Sequence, residues 1–367
     1  MLNEIINHIN SAGMEELNTI WANILYKGGG KDVESDRSWR TISCCPILAK
    51  ALDLYMVELY DTGWSAAQAT TQFQGSNSSH DLAALALTEA TLQGQLCCKK
   101  PVYVLLLDAL SAFDLVVIEH AIRSAYLAGT QDEGLVYLDH RLRSRKTFIE
   151  WDREILGPIS DTIGVEQGGC ASDRIYRLVN NEQVQLVQDT ELGVELDLAI
   201  QSTGGVGRGV VSAIAQADDV ALVSSSLKSL QALLHLTKLY CSKYQVRLVG
   251  SKTKLLVFTS KKTIIQSKVE LAITTISLDG ENISPSSQAT HVGVVRSLEG
   301  NSPHIASRLS AHRKAVFAVL RAGLAKGHRT NPAACLRVET VFGAPVLLSG
   351  MSSLVMTIAE ETKVDQY

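Results

Sequence analysis

The chain has 367 residues, more than one compact core usually holds, so two or three subdomains are expected. Hydrophobic residues make up 46% and charged residues 20%, which excludes an intrinsically disordered chain. The formal net charge of −4 supplies no overall basic excess for phosphate binding, so any nucleic-acid reading must rest on local charge and on a site.

No apolar run reaches transmembrane length, and the opening Met1-Leu2-Asn3-Glu4-Ile5 lacks the basic and apolar regions of a signal peptide. An intracellular location with no membrane partner is expected. The seven cysteines include the neighbours Cys44-Cys45 and Cys97-Cys98 but no Cys-x-x-Cys spacing, and their odd number argues against a disulfide framework. Reduced, buried thiols are expected.

In chain order, residues 1–25 carry Ile5, Ile6, Ile9, Leu17, Ile20, Trp21 and Ile24 at helical spacing, which predicts a helix. A polar, Gly-rich loop follows from Lys27 to Ser38; its three glycines lack the Gly-Lys-Ser/Thr ending of a phosphate cradle. Amphipathic helices are predicted over 42–59 and 81–96. Residues 102–107 are uniformly apolar and rich in strand formers, as in a strand covered on both faces. A helix over 111–128, another around 135–144, and a strand over 146–151 come next. The loop 164–169 precedes a helix over 171–187. Two apolar arms flank Asp218 and Asp219, the pattern of a hairpin. A helix over 227–244 and a strand over 254–258 follow. Strands over 269–277 and 291–296 are predicted around the turn-rich Asp279-Gly280-Glu281-Asn282, and 303–348 reads as helical. Arg308, Arg313, Lys314, Arg321, Lys326, Arg329 and Arg337 make this last part basic, which suits either a solvated helix face or a nucleic-acid contact.

The chemistry concentrates on three aspartates. Asp108 stands at the exit of an apolar strand, and Asp218 with Asp219 at a tight connection where acidic side chains suit turn geometry. Adjacent carboxylates repel each other, and divalent cations offset that repulsion. Mg²⁺ takes one or two carboxylates together with substrate phosphates, so three such groups suit two-metal phosphoryl transfer. Each aspartate alone is equally at home in an ordinary surface turn.

Taken in order, the motifs resemble the reverse transcriptase domain of a non-LTR (LINE-like) retrotransposon over roughly residues 27–350. Ser38-Trp39-Arg40-Thr41-Ile42 resembles the early fingers motif, and Gln72-Phe73-Gln74-Gly75 through Ser79-His80-Asp81 resembles the template-contacting second motif. Asp108-Ala109-Leu110-Ser111-Ala112-Phe113-Asp114 is similar to the family's strand-to-helix pattern ending in Ala-Phe-Asp. Gly164-Val165-Glu166-Gln167-Gly168-Gly169 resembles its Gln-Gly motif, Ala217-Asp218-Asp219 its catalytic hairpin, Lys252-Thr253-Lys254 its lysine motif, and Thr290-His291-Val292-Gly293-Val294 its primer-guiding hairpin.

The resemblance implies an α+β right-hand polymerase: a palm with a small antiparallel sheet, fingers, and a helical thumb. It divides the chain into fingers and N-terminal helices (1–100), a palm with interleaved fingers elements (101–300) and a thumb (301–367). It implies an RNA-directed DNA polymerase, a nucleotidyltransferase that adds deoxynucleotides to a primer 3′-hydroxyl. Asp108, Asp218 and Asp219 would be catalytic and would hold two Mg²⁺ ions, with Mn²⁺ as a substitute. Arg40, Phe113, Gln167, Gly168 and Lys252 would bind the nucleotide: guanidinium matches phosphate oxygens, the Phe113 ring would exclude a 2′-hydroxyl, and glycine permits close backbone approach. Lys252 would be a general acid toward pyrophosphate. Each has a plainer reading, as surface arginine, core aromatic, glycine turn or solvated lysine. His80, His291 and His304 read as local hydrogen-bonding residues.

The implied partners are an RNA template, a DNA primer and deoxynucleoside triphosphates, in the nucleus and cytoplasm. Neither a nuclease domain nor a zinc-binding segment is recognisable in the chain. Gln216 stands where the family usually has an aromatic residue, and Asp173 where many members have proline. The competing expectation is a degenerate or domesticated polymerase-like protein that binds nucleic acid without turnover. A cyclic-dinucleotide synthase would need a Gly-Gly-Asp/Glu-Glu/Asp-Phe signature, which the sequence lacks.

Overall fold

The computed structural model describes residues 17–28, 30, 32–35, 38–74, 79–151, 153–200, 205–319, 321 and 332–365. In chain order it contains β1 (Thr19–Tyr26), β2 (Trp39–Cys44), α1 (Ile47–Ala66), α2 (His80–Leu96), β3 (Val102–Leu107), α3 (Ile118–Leu127), α4 (Asp132–Arg143), β4 (Lys146–Trp151), β5 (Glu154–Ser160) and α5 (Ser172–Gln188). There follow β6 (Val194–Ile200), β7 (Gly205–Val211), β8 (Ala213–Gln216), β9 (Asp219–Ser224), α6 (Leu227–Tyr244), β10 (Lys254–Phe258) and α7 (Ile264–Ile273). Two short hairpins, β11 (Ser277–Leu278) with β12 (Glu281–Asn282) and β13 (Gln288–His291) with β14 (Val294–Ser297), precede α8 (Ser302–Val319), α9 (Pro332–Val338), α10 (Ala344–Leu348) and α11 (Ile358–Asp365). Among these residues no helix is long and apolar enough to cross a membrane.

The chain forms two interleaved units, one made of residues 1–75, 109–186 and 236–248, the other of 76–108, 187–235 and 249–367. The first contains a four-stranded sheet in the order β2-β1-β4-β5, with β1 parallel to β4 and the other pairs antiparallel. Ile20 and Ala22 of β1 are buried while Trp21 and Asn23 are exposed, the alternation of a sheet with one covered face. Helix α1 buries Ala49, Leu52, Met56 and Trp64. Each of the larger side chains contributes about 1.5–3 kcal/mol by leaving water. The Trp64 indole finds its buried partner in Thr130 Oγ1 at 2.9 Å.

The second unit is built on the antiparallel sheet β10-β3-β9-β8. All six residues of β3 are buried, as its unbroken apolar run predicts. Helix α2 starts at Ser79, whose hydroxyl accepts from the Leu82 amide, with Asp81 in the first turn. It lies so close to the strands that a Cβ at Gly94 would sit 2.4 Å from Val102 Cγ2. Leu227, Leu230, Leu233 and Leu234 in the first turns of α6 are buried completely. A separate apolar cluster joins Ile305 and Leu309 of α8 to Leu347, Met351 and Val364.

Several sequence expectations change. Residues 19–26 are a strand rather than helix, because their apolar side chains serve both faces of a sheet and blur the alternation; residues 1–16 of that predicted helix lie outside the described residues. Residues 42–44 belong to β2, and helix begins after Pro46. Residues 111–117 are turns because the Phe113 and Val116 carbonyls accept the amides of Val165 and Gly164 instead of continuing a helix. The predicted strand over 269–277 is mostly α7, started by a Ser260–Thr263 turn in which the Thr263 hydroxyl accepts the Ser260 amide. The hairpin β6–β7 and strand β5 were not anticipated. None of the seven cysteines is in a disulfide, and only Cys45 and Cys241 are buried; Cys44 and Cys97 are exposed.

Candidate active site

The carboxylates are placed by strand register. Leu107 at the end of β3 pairs with Val220 near the start of β9, so Asp108, one residue after Leu107, and Asp219, one before Val220, occur at the same end of neighbouring strands. Gln216 pairs with Asp219, which leaves Ala217 and Asp218 as a two-residue turn. Ala217 takes φ +55°, an uncommon conformation for a residue with a Cβ and a strain that tight hairpins at sites often carry. The doublet is thus divided: Asp218 is in the turn and Asp219 opens β9.

The Asp219 pKa is pushed up to about 6, first by loss of hydration and then by the Asp218 and Asp108 carboxylates, while the Val292 amide and His80 act in the opposite sense. Val292 and Gly293 form the turn between β13 and β14 with φ +43° and +77°, the positive pair that a tight primed hairpin turn needs. The hairpin expected from Thr290-His291-Val292-Gly293-Val294 therefore touches the acidic one through a backbone amide.

Lys252 comes from a tight turn before β10, in which the amides of Lys252 and Thr253 both donate to the Val249 carbonyl. The Val249 amide donates to the Asp108 carbonyl at 2.9 Å, tying this turn to the end of β3. Lys252 Nζ reaches Asp108 Oδ1 at 3.1 Å. Among the described residues no three His, Cys, Asp or Glu side chains are gathered in ligand geometry around one point. The donor chemistry nevertheless fits a hard divalent cation: three carboxylates gather at one end of the β3–β9 pair, and their mutual repulsion is legible in Asp219.

The remaining nucleotide-binding candidates lie in the other unit. Arg40 is exposed on β2, paired with Leu25 of β1. The loop bearing Gln167 is stitched to β2 by the Ser43 amide, which donates to the Gln167 carbonyl at 2.8 Å, and to the Phe113 segment by the Val165 amide, which donates to the Phe113 carbonyl at 2.8 Å. Gln167 Nε2 lies 3.4 Å from Asp114 Oδ1, and burial, the largest influence, raises the Asp114 pKa. The Phe113 ring stacks on Tyr176 with centroids 4.6 Å apart. Gly168 has φ +110°, and a Cβ there would sit 2.8 Å from the Ser43 carbonyl oxygen, so glycine is required for this close approach. The structure thus brings the elements carrying Arg40, Phe113, Gln167 and Gly168 together within one unit.

Sequence reasoning missed a buried polar group beneath that loop. Arg141 NH1 is 2.7 Å from Glu166 Oε1, and Arg141 Nε is 3.4 Å from Asp53 Oδ1, which also accepts the Tyr137 hydroxyl at 2.8 Å. Burial raises the Asp53 pKa; burial alone would lower that of Arg141, but the Glu166 and Asp53 carboxylates raise it. Glu166 is visible beside Gln167 in the sequence, but its partners come from α4, the turn after it and the start of α5, and no sequence spacing announces them. Of the histidines expected to make local hydrogen bonds, His304 does and His291 does not. His304 is hydrogen-bonded, accepting the Val295 amide at Nδ1 and lying 3.2 Å from the Ser349 carbonyl, whereas His291 is buried with neither ring nitrogen partnered among the described residues.

A profile of the family described as reverse transcriptase (RNA-dependent DNA polymerase) matches residues 29–294, more than half of the chain. The chain belongs to the reverse transcriptase family. No curated protein sequence matches it. Solved structures similar to this reverse transcriptase family member include an apo telomerase from Candida tropicalis truncated from its C-terminal domain, with a TM-score of 0.50, 11% identity, and coverage of 81% of this chain and 57% of that one. The apo telomerase from the same organism gives a TM-score of 0.51 at 10% identity, covering 81% of this chain and 51% of that one. The chain therefore spans about half the length of the telomerase chains it matches. At such identities the likeness speaks for the fold, the α+β right-hand polymerase fold that the sequence motifs imply.

Proposed function

We propose that this chain is an RNA-directed DNA polymerase of the non-LTR, LINE-like kind, extending a DNA primer on an RNA template with deoxynucleoside triphosphates. The observation that carries the reading is the register of β3 against β9, which sets Asp108 and Asp219 at one sheet end with Asp218 in the adjoining turn. In this reading 1–100 supplies fingers, 101–300 the palm with interleaved fingers elements, and 301–367 the thumb.

Asp108, Asp218 and Asp219 would hold two Mg²⁺ ions, which when bound acidify the primer 3′-hydroxyl and neutralise the leaving phosphates. Lys252 must then exchange its contact with Asp108 for the pyrophosphate side, where its ammonium can donate a proton to the leaving oxygen. Arg40 grips triphosphate oxygens, Gln167 and Gly168 form the backbone surface under the nucleotide, and Phe113, held by Tyr176, meets the sugar edge. The β13–β14 turn fixes Asp219 through the Val292 amide.

The test is Mg²⁺-dependent extension of a primed RNA template by parent and Asp218→Asn protein. The second reading, nucleic-acid binding without turnover, takes its support from Gln216, which is buried beside the turn with its amide oxygen unpartnered among the described residues, where the family favours an aromatic ring. Folded parent protein that binds the primed template but adds no nucleotide would favour it.

A further inference from the structure

The loop from Ile163 to Gly169 is fastened from below by two buried arginines that no step of the proposed reaction uses. Arg145, in the turn after α4, donates from NH2 to the Ile163 carbonyl at 3.0 Å and the Gly164 carbonyl at 2.6 Å, and from Nε to the Leu142 carbonyl at 3.0 Å. Its NH1 stands 3.8 Å from Glu166 Oε2, and Arg141 stands 2.7 Å from the other carboxylate oxygen. The Ser172 hydroxyl, at the start of α5, donates to Glu166 Oε2 at 3.4 Å. Arg141, Arg145 and Glu166 are each less than a tenth exposed. Two arginines facing the two carboxylates Glu166 and Asp53 give a charge-balanced buried group.

Such a group is a poor source of stability, since desolvation offsets most of its attraction, but it holds the attached backbone to one geometry. The attached backbone is the peptide immediately before Gln167. Backbone hydrogen bonds fix the same loop as well: the Gly164 and Val165 amides donate to the Val116 and Phe113 carbonyls, and the Ser43 amide donates to the Gln167 carbonyl. Gln167 therefore sits on a segment held by side chains at residues 163, 164 and 166 and by backbone amide bonds at 164, 165 and 167.

We infer that Glu166, Arg141 and Arg145 are positioning residues for the nucleotide, a buried clamp that sets where Gln167 and Gly168 meet the incoming triphosphate. The inference rests on the polymerase reading of this loop. Its signature is a weakened grip on nucleotide with little change in turnover once nucleotide is bound.

The experiment compares parent, Glu166→Gln, Arg145→Lys and Arg143→Lys proteins in primer extension, resolving KM for the nucleotide from kcat, with thermal melting and titration of a fluorescent deoxynucleotide onto the protein–primer–template complex. Glu166→Gln keeps the shape and loses the charge; Arg145→Lys keeps the charge and loses the fork to the two carbonyls. Each should raise KM and the nucleotide Kd roughly 10- to 100-fold, with kcat within about twofold. Arg143→Lys, at an exposed position of α4 that pairs with Asp139 and with Glu119 of α3, should leave both unchanged. If Glu166→Gln does not fold, Arg145→Lys decides alone. An unchanged KM and Kd, or a loss confined to melting temperature and kcat, overturns the clamp while leaving the polymerase reading in place. A folded parent that neither extends primer nor takes up nucleotide removes both.

Discussion

Lys252 and Asp108 face each other across the end of the β10–β3 pair, ammonium to carboxylate at 3.1 Å. The two side chains are 60% and 40% exposed, so the pair contributes little to folding, under about 1 kcal/mol. Lys252→Ala should therefore leave the unfolding free energy nearly unchanged while lowering the extension rate by about 10²- to 10⁴-fold, the range of a lost general acid. Chemical denaturation and single-turnover extension of the same preparation check both halves; a large loss of stability with normal turnover would make Lys252 a structural residue.

Asp219 links activity and stability to pH. Its pKa is raised from 3.8 to about 6, so the folded state prefers the protonated form and pays a penalty that appears as pH rises through this window and is complete above it. The carboxyl is partly open to solvent, and screening keeps the penalty below about 1 kcal/mol. Asp219→Asn should remove that pH dependence and make the metal-free protein slightly more stable at pH 7, as read by melting curves between pH 4 and 7. A steeper loss of stability in the variant over this range would refute the assignment.

His120 provides the opposite sign. Burial is the largest cause of its depressed pKa, about 4, although the Glu182 contact at 3.1 Å pulls the other way. Stability is full above the unfolded value near 6.5 and falls as pH drops toward 4, by about 3 kcal/mol for a group so thoroughly buried. His120→Gln should flatten that acid limb, with denaturant midpoints at pH 7 and 4.5 as the measurement.

Gly168→Ala forces a Cβ within 2.8 Å of the Ser43 carbonyl at a backbone angle of +110°. The strain of about 1–3 kcal/mol falls on the Gln167 loop and its bond to β2. Nucleotide KM should rise at least tenfold while the far-ultraviolet circular dichroism spectrum stays that of the parent. An unaltered KM would mean that the loop does not contact nucleotide.

Legibility in the sequence followed how local the cause was. The run Val102 to Leu107 announces a doubly covered strand by composition alone, and the arms around Asp218 and Asp219 announce their hairpin. Thr19 to Tyr26 does not, because Trp21 and Leu25 put apolar groups on its open face and imitate a helical stripe. The β6 segment Val194-Glu195-Leu196-Asp197-Leu198 alternates cleanly, and that period-two signal was present to be read. Residues 269–273 are helical, in keeping with the helix formers Glu270, Leu271 and Ala272, while the β-formers Thr274, Thr275 and Ile276 that suggested a strand lie beyond the helix. Of the candidate site residues, the three aspartates, Lys252 and Gln167 could be proposed from motif order. The Arg141–Glu166–Arg145 group could not, because its members meet only after α4 and the loop have been folded against each other.

That the carboxylates at the shared end of β3 and β9 drive template-directed nucleotide addition is decided by one comparison. Parent and Asp218→Asn proteins, each verified as folded, are supplied with a primed RNA template, Mg²⁺ and deoxynucleotides, and primer lengthening is followed. The account predicts extension by the parent that depends on Mg²⁺ and template sequence, and a loss on the order of 10³-fold or more in the variant, as expected when several kcal/mol of metal-borne charge stabilisation is removed. Equal extension by the two proteins would contradict it.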